Sequence, residues 1–131
     1  MSKISLETLS PEGAATVRLD FGENEENLIP AIVQEVGSGE ILLVAFMNRE
    51  ALECTLQTGK AHFWSRSRQT LWLKGETSGQ FLLVQECFIN CEENSLLLKV
   101  KLAGEIACHT GHKSCYYRRI DWEPKQEYET L

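Results

Sequence analysis

No apolar run in this 131-residue sequence approaches the roughly eighteen residues a membrane-spanning helix needs, and the longest, Ile41 to Met47, is far shorter. An apolar secretory stretch is missing too, because Met1 to Ala15 scatters Lys3, Glu7 and Glu12 among polar residues, so the chain reads as cytoplasmic. Basic residues are not in excess. The formal net charge of -6 removes any global attraction to nucleic acid but not to a small anionic substrate. The five cysteines form no even set, and without an export signal they argue against a disulfide framework and toward metal ligands, nucleophiles or plain core residues. Repeats, low-complexity tracts and linkers are lacking as well. With 43% hydrophobic and 24% charged residues, the composition fits one soluble globular domain over residues 1–131.

What is present reads as mixed structure. The first nineteen residues show no strong periodicity and are expected to form an irregular lead. Leu28 to Val36 and Ile41 to Met47 read as two strands around a Gly37-Ser38-Gly39 turn. Asn48 is placed to cap a short helix whose apolar spacing runs Ala51, Leu52, Thr55, Leu56 and which Gly59 closes. Ala61 to Ser65 and Leu71 to Lys74 read as strands flanking the basic loop 66–70, and Phe81 to Ile89 and Leu96 to Leu102 as two more. From Ala107 to Arg119 the chain is expected to be irregular, with at most one helical turn, and residues 120–131 to be a short charged tail. The architecture expected is α+β, a mostly antiparallel sheet with short helices.

Chemistry concentrates in Cys108-His109-Thr110-Gly111-His112-Lys113-Ser114-Cys115, two thiols and two imidazoles within eight residues. Cys91 lies upstream across a strand and a turn. Thiolates and imidazoles bind zinc, and three protein ligands leave a fourth position for water, as hydrolytic zinc sites require. The spacing is not that of a zinc finger or ribbon, and small buried cysteines would explain the same residues. For Cys54 in the short helix and Cys87 in a strand, a core role is the expected one. Arg66, Arg68 and Lys74 form the other cluster, in a segment free of acids until Glu76. Guanidinium groups make forked contacts with phosphate oxygens, although a solvated basic loop has the same composition. Trp64 and Trp72 suit either a core or a stacked base, and core is the commoner use of strand aromatics.

Several blocks occur in order: Leu28-Ile-Pro-Ala-Ile-Val-Gln, Ala45-Phe-Met-Asn48, Thr58-Gly-Lys-Ala-His-Phe-Trp-Ser-Arg-Ser-Arg68, Lys74-Gly-Glu-Thr-Ser-Gly79, and Ala107-Cys-His-Thr-Gly111 with Ser114-Cys115. From about Phe21 to Arg119 the sequence resembles the phosphoribosyl-AMP cyclohydrolase family of histidine biosynthesis, in its stand-alone form. The resemblance implies a homodimer in which Cys91 of one subunit and Cys108 and Cys115 of the other hold zinc. It further implies hydrolysis of the N1–C6 bond of the purine in 1-(5-phosphoribosyl)-AMP, by attack of an acidified water on C6, with His109 as proton shuttle. Arg66, Arg68 and Lys74 would meet the substrate's phosphates, Glu76, Thr77 and Ser78 would line the same pocket, and His62 would orient substrate or buttress a loop.

Three departures from the family stand out. Its Asp-Cys-Asp-x-Asp segment, whose aspartates bind magnesium, reads Asn90-Cys91-Glu92-Glu93-Asn94 here. Neutral amides at Asn90 and Asn94 and a longer side chain at Glu92 alter a hard-oxygen site, so Glu92 and Glu93 either rebuild a weaker one or the protein works without magnesium. The stretch between Cys91 and Cys108 is one residue longer than the family pattern, which places the extra residue in the turn near Gly104. Gln80 stands where histidine or another polar residue is expected. Two alternatives therefore stay open: a related zinc hydrolase acting on another purine-like nucleotide, and a non-catalytic zinc-stabilised dimer module.

Overall fold

A computed structural model describes residues 3–22 and 27–125. The expected irregular lead is instead a hairpin: β1 (Lys3–Ser10) pairs antiparallel with β2 (Gly13–Asp20) from Lys3↔Asp20 to Ser10↔Gly13. A period of two is present after all, spread over two strands. Ile4 faces Leu19 and Leu6 faces Val17, and Leu19 is buried while Ile4 and Leu6 pack against the core. Ser10 Oγ accepts the Glu12 N–H at 3.2 Å in the turn between them. Residues 126–131 of the expected tail lie outside the described residues.

The main sheet has the order β4-β3-β8-β7, built from β3 (Ile29–Glu35), β4 (Ile41–Met47), β7 (Leu82–Ile89) and β8 (Leu96–Leu102). The β3–β4 and β7–β8 pairs are antiparallel, but the central pair β3–β8 is parallel, with Ala31 opposite Leu96 and Glu35 opposite Val100. The pairing is thus mostly antiparallel, as expected, with one parallel pair at the centre of the main sheet. A parallel partner needs a long crossover, and here everything between β3 and β8, β4 included, supplies it. β3 buries Ile29, Ala31 and Val33 on one face, and β8 buries Leu96, Leu98 and Val100 beside them. At about 1.5–3 kcal/mol for each large apolar side chain removed from water, these two strands anchor the domain.

Helix α1 (Arg49–Thr58) begins and ends where its sequence dictates. Asn48 Oδ1 accepts the Ala51 N–H at 2.9 Å, and Gly59, in the left-handed region, donates its N–H to Thr55 O at 2.9 Å. Ala51, Leu52 and Thr55 form its buried face. Thr55 Oγ1 accepts the His62 N–H at 2.9 Å, which fastens the helix to the small hairpin of β5 (His62–Ser65) and β6 (Thr70–Leu73). Fully buried Phe63 meets Trp72 across that hairpin, with ring centroids 5.5 Å apart. Residues 103–125 carry no helix or strand, only turns and bends. No helix among the described residues is long and apolar enough to cross a membrane.

Candidate active site

The segment after β8 owes its shape to anchors on other elements. Ser114, buried, donates Oγ–H to Ile41 O at 2.7 Å, and the Cys115 N–H donates to Leu42 O at 2.7 Å, so the loop is laid against the start of β4. Lys113 Nζ lies 2.6 Å from a Glu35 oxygen and 3.2 Å from a Glu40 oxygen. Within the loop, Ala107 N–H donates to Lys113 O and Cys108 N–H to His112 O, both at 3.0 Å. His112 stacks on Tyr117 at 3.6 Å between ring centroids and lies 3.1 Å from Thr110 Oγ1.

These anchors bring Cys108 and Cys115 into contact. Thr110 lies 2.9 Å from Cys108 Sγ through Oγ1 and donates its N–H to the same sulfur at 3.5 Å. Those two contacts, chiefly the hydroxyl, pull the Cys108 thiol below the usual range, and a hydrogen bond from Cys115 adds to it. Cys115 moves the other way, pushed up mainly by desolvation and then by its neighbour Cys108, while the nearby Lys74 charge opposes the rise. Cys108 is therefore the thiol that ionises first, with Cys115 as its donor.

Cys108, but not Cys115, borders a recess of about 600 Å³. Arg68, Lys74, Glu76, Thr77 and Ser78 line one side, and Cys108 and His109 the other. The turn after β6 is folded tightly by Glu76 N–H to Leu73 O at 3.0 Å and Gly79 N–H to Gly75 O at 2.7 Å. Gly75 is in the left-handed region, and a Cβ there would stand 2.5 Å from the Gln80 carbonyl carbon, so only glycine allows this turn to close.

Arg66 is not in that recess. It lies in an adjoining one, also about 600 Å³, with Phe46, Trp64 and Ser65, where its guanidinium sits 4.3 Å above the Phe46 ring. Arg68 and Trp72 line both recesses, and Trp72 and Trp64 thus do more than fill the core. His62 lines neither: its Nδ1 is 2.8 Å from Lys60 O, a local contact of the β5 strand. Sequence reasoning missed Leu73 and Ile106 as lining residues, since nothing in their type or spacing marks them, and it singled out Gln80 only as a departure from the family pattern, without a role in the recess. Cys54 is half-buried, whereas Cys87 is exposed and not a core residue: a register shift between Val84 and Glu86 breaks the inward alternation of β7 before it. Its thiol is nonetheless pushed up by partial desolvation.

Cys91 is exposed in the β7–β8 turn, at the end where β8 begins, whereas Cys108 follows the end of β8. A strand of that length separates its ends by roughly 20 Å, so Cys91 does not join the thiol pair of its own chain. Among the described residues no three His, Cys, Asp or Glu side chains converge closely enough to hold a metal ion. Asn90 and Asn94 form a closed unit around Cys91. Asn90 Oδ1 accepts the N–H groups of Asn94 at 2.9 Å and Ser95 at 2.8 Å, and its amide donates to Asn94 Oδ1 at 2.5 Å.

Cations, hydroxyls, a carboxylate, an imidazole and a low-range thiol turned on one recess are the parts of a small-molecule enzyme site. The phosphoribosyl-AMP cyclohydrolase family model matches residues 43–117. Relatives with that name include proteins of Methanosarcina mazei, 55% identical over 107 residues (80% of this chain, 88% of the relative), and of Desulfatibacillum aliphaticivorans, 44% identical over 124 residues (86% and 98%). A third, from Desulfotalea psychrophila, is 46% identical over 104 residues, 79% of this chain and 82% of its own. The chain belongs to the phosphoribosyl-AMP cyclohydrolase family.

Proposed function

We propose that this chain hydrolyses the N1–C6 bond of 1-(5-phosphoribosyl)-AMP, opening the purine ring in histidine biosynthesis, as a zinc-dependent homodimer. The observation that carries the reading is the recess that joins Arg68, Lys74 and the Glu76–Ser78 turn to Cys108 and His109. A thiol pair with one member in the low range fits a thiophilic ion, and Cys91 of a second copy would complete three ligands. Zinc in such a set supplies a water acidic enough to ionise near neutral pH. His109 takes the proton released as water adds to C6 and returns one as the C6–N1 bond breaks, leaving a carboxamide at C6 and the amidine on N1. The two recesses divide the anionic arms of the substrate. Lys74 and Arg68 meet one phosphate, and Arg66 with Arg68 meets the other, while Trp72 separates them.

Magnesium does not fit the turn at 90–94. The Asn90 oxygen is occupied by two backbone donors and the Asn94 oxygen by the Asn90 amide, which leaves Glu92 and Glu93 as exposed carboxylates without a built cage. No step is assigned to it, and turnover of zinc-loaded protein is expected to be the same with and without added magnesium.

Subunit mixing tests the shared site. Cys91→Ala and Cys108→Ala are each expected to be inactive alone, whereas refolding them together restores about a quarter of wild-type turnover, because half of the dimers then hold one intact site of two. No restoration from mixed dimers would remove the shared site, and no turnover from zinc-loaded wild-type protein would favour a substrate other than 1-(5-phosphoribosyl)-AMP.

A further inference from the structure

We propose that Gln80 is a positioning residue, which clasps the backbone beyond β8 and so fixes Cys108 and His109 against the Lys74–Ser78 wall. The proposal rests on the recess being the reaction site. Gln80 closes the β6–β7 connection, and its Oε1 accepts the Glu105 N–H at 2.9 Å and the Ile106 N–H at 3.2 Å. Both donors lie in a stretch with no strand or helix, where the sheet no longer offers acceptors. One side-chain oxygen satisfies two consecutive amides just before buried Ala107 and Cys108.

The position of this clasp is what gives it a role. Ser114 and Cys115 hold the far end of the 107–115 loop to β4, and the bonds of Ala107 and Cys108 to Lys113 and His112 are internal to the loop. The near end is tied to the β6–β7 side of the recess by Gln80, backed by Ala103 N–H to Phe81 O at 3.0 Å. Because Gln80 also ends the turn that carries Lys74 to Ser78, the same residue sets the spacing between the two walls of the recess.

Gly104 fits the Gln80 side chain specifically. Its φ is outside the left-handed region, so the backbone itself would accept a side chain, yet a Cβ there would stand 1.8 Å from Gln80 Oε1 and 2.4 Å from Cδ. The glycine makes room for the amide.

Gly104→Ala therefore expels the Gln80 side chain without changing a residue that lines the recess, and is compared with Gln80→Leu, Gln80→Glu and the double variant Gln80→Leu/Gly104→Ala in zinc-loaded protein. Amide exchange at Glu105 and Ile106 is expected to quicken about tenfold in Gly104→Ala and Gln80→Leu. Their kcat is expected to fall about tenfold while KM changes less than about twofold in Gly104→Ala. Gln80→Glu, which reaches the same two donors, keeps slow exchange and kcat whatever its charge does to KM. The double variant is no worse than Gln80→Leu, since both changes remove one clasp. Fast exchange in Gly104→Ala with wild-type kcat overturns the proposal, as does an additive double variant. Were the wild-type protein inactive on the substrate, the function reading would fail and the clasp would still be decided by amide chemical shifts in Gly104→Ala. Shifts that reach Cys108 and His109 support it, and shifts confined to residues 104–106 overturn it.

Discussion

The two cysteine-bearing turns of this molecule are built in opposite ways. Cys91 sits in a turn closed on itself, with Asn90 bonded to Asn94 and Ser95 and the thiol exposed. Cys108 and Cys115 sit in a loop docked onto β4 through Ser114 and onto Glu35 and Glu40 through Lys113. One turn presents a sulfur to whatever approaches, and the other fixes two sulfurs in mutual contact before any ligand arrives. In the proposed zinc set, this difference would divide the ligands into a preorganised pair, Cys108 with Cys115, and a presented thiol, Cys91, too far away to join the pair of its own chain.

The largest effect expected from breaking this comparison is at the thiols. Cys108→Ala and Cys115→Ala should each lose zinc and about a thousandfold or more in turnover, and Cys91→Ala should do the same despite its distance from them. Cys54→Ala, on the half-buried face of α1, should keep both. Metal content and ring-opening rates on the same preparations check this. Equal losses in all four would mean that the cysteines act through folding and not as ligands.

Stability separates the two turns next. Ser114→Ala removes a buried hydroxyl that donates to Ile41 O and accepts the Tyr116 N–H at 2.9 Å, so a loss of about 1–3 kcal/mol is expected. Asn90→Ala frees two N–H groups in an exposed turn, where water replaces the lost acceptor, and about 1 kcal/mol or less is expected. Denaturation midpoints of the two variants measured together decide the order. A larger loss at Asn90 would make the presented turn the better-built one and reverse the comparison.

Legibility in the sequence followed the range of the interactions. Asn48, Gly59 and the β4 run act within a few residues of themselves, and α1 and β4 lie where the sequence places them. The N-terminal hairpin was harder to read because Thr8, Ser10, Gly13 and Ala15 complete the face of Ile4, Leu6, Val17 and Leu19 and cut each strand's apolar alternation short. The parallel β3–β8 pair has no local signature at all, since its partners are more than sixty residues apart in the chain. For the site, residue types nominated Arg68, Lys74, Cys108 and His109, which the fold gathers in one recess. They could not tell that Arg66 turns into a second recess onto Phe46, or that His62 contacts the carbonyl of Lys60 just before its own strand. Gln80 was least legible, because an amide that works by accepting backbone donors leaves no motif.

The smallest effect is electrostatic and concerns how the docked loop answers to pH. Lys113 and Ser38 hold the Glu35 carboxyl below the usual glutamate range, with the lysine hydrogen bond the larger cause. The folded chain then releases a proton that the unfolded chain still binds, so stability rises with pH across that interval. The contribution is complete above the ordinary glutamate pKa and is lost as pH falls through the lowered folded value. Lys113, pushed up chiefly by Glu35, sets the other limit: its share is complete below the ordinary lysine pKa and is lost as pH rises through the raised value. Glu35→Gln should therefore be less stable than wild type in neutral urea denaturation, and the two curves should converge in acid, where Glu35 is protonated in both states. Added salt should shrink the neutral difference too, since the ammonium is solvent-accessible. A gap that survived both acid and salt would assign Glu35 a packing role in place of a charged one, and the far end of the 107–115 loop would then be held to β4 chiefly by Ser114 and the Cys115 N–H.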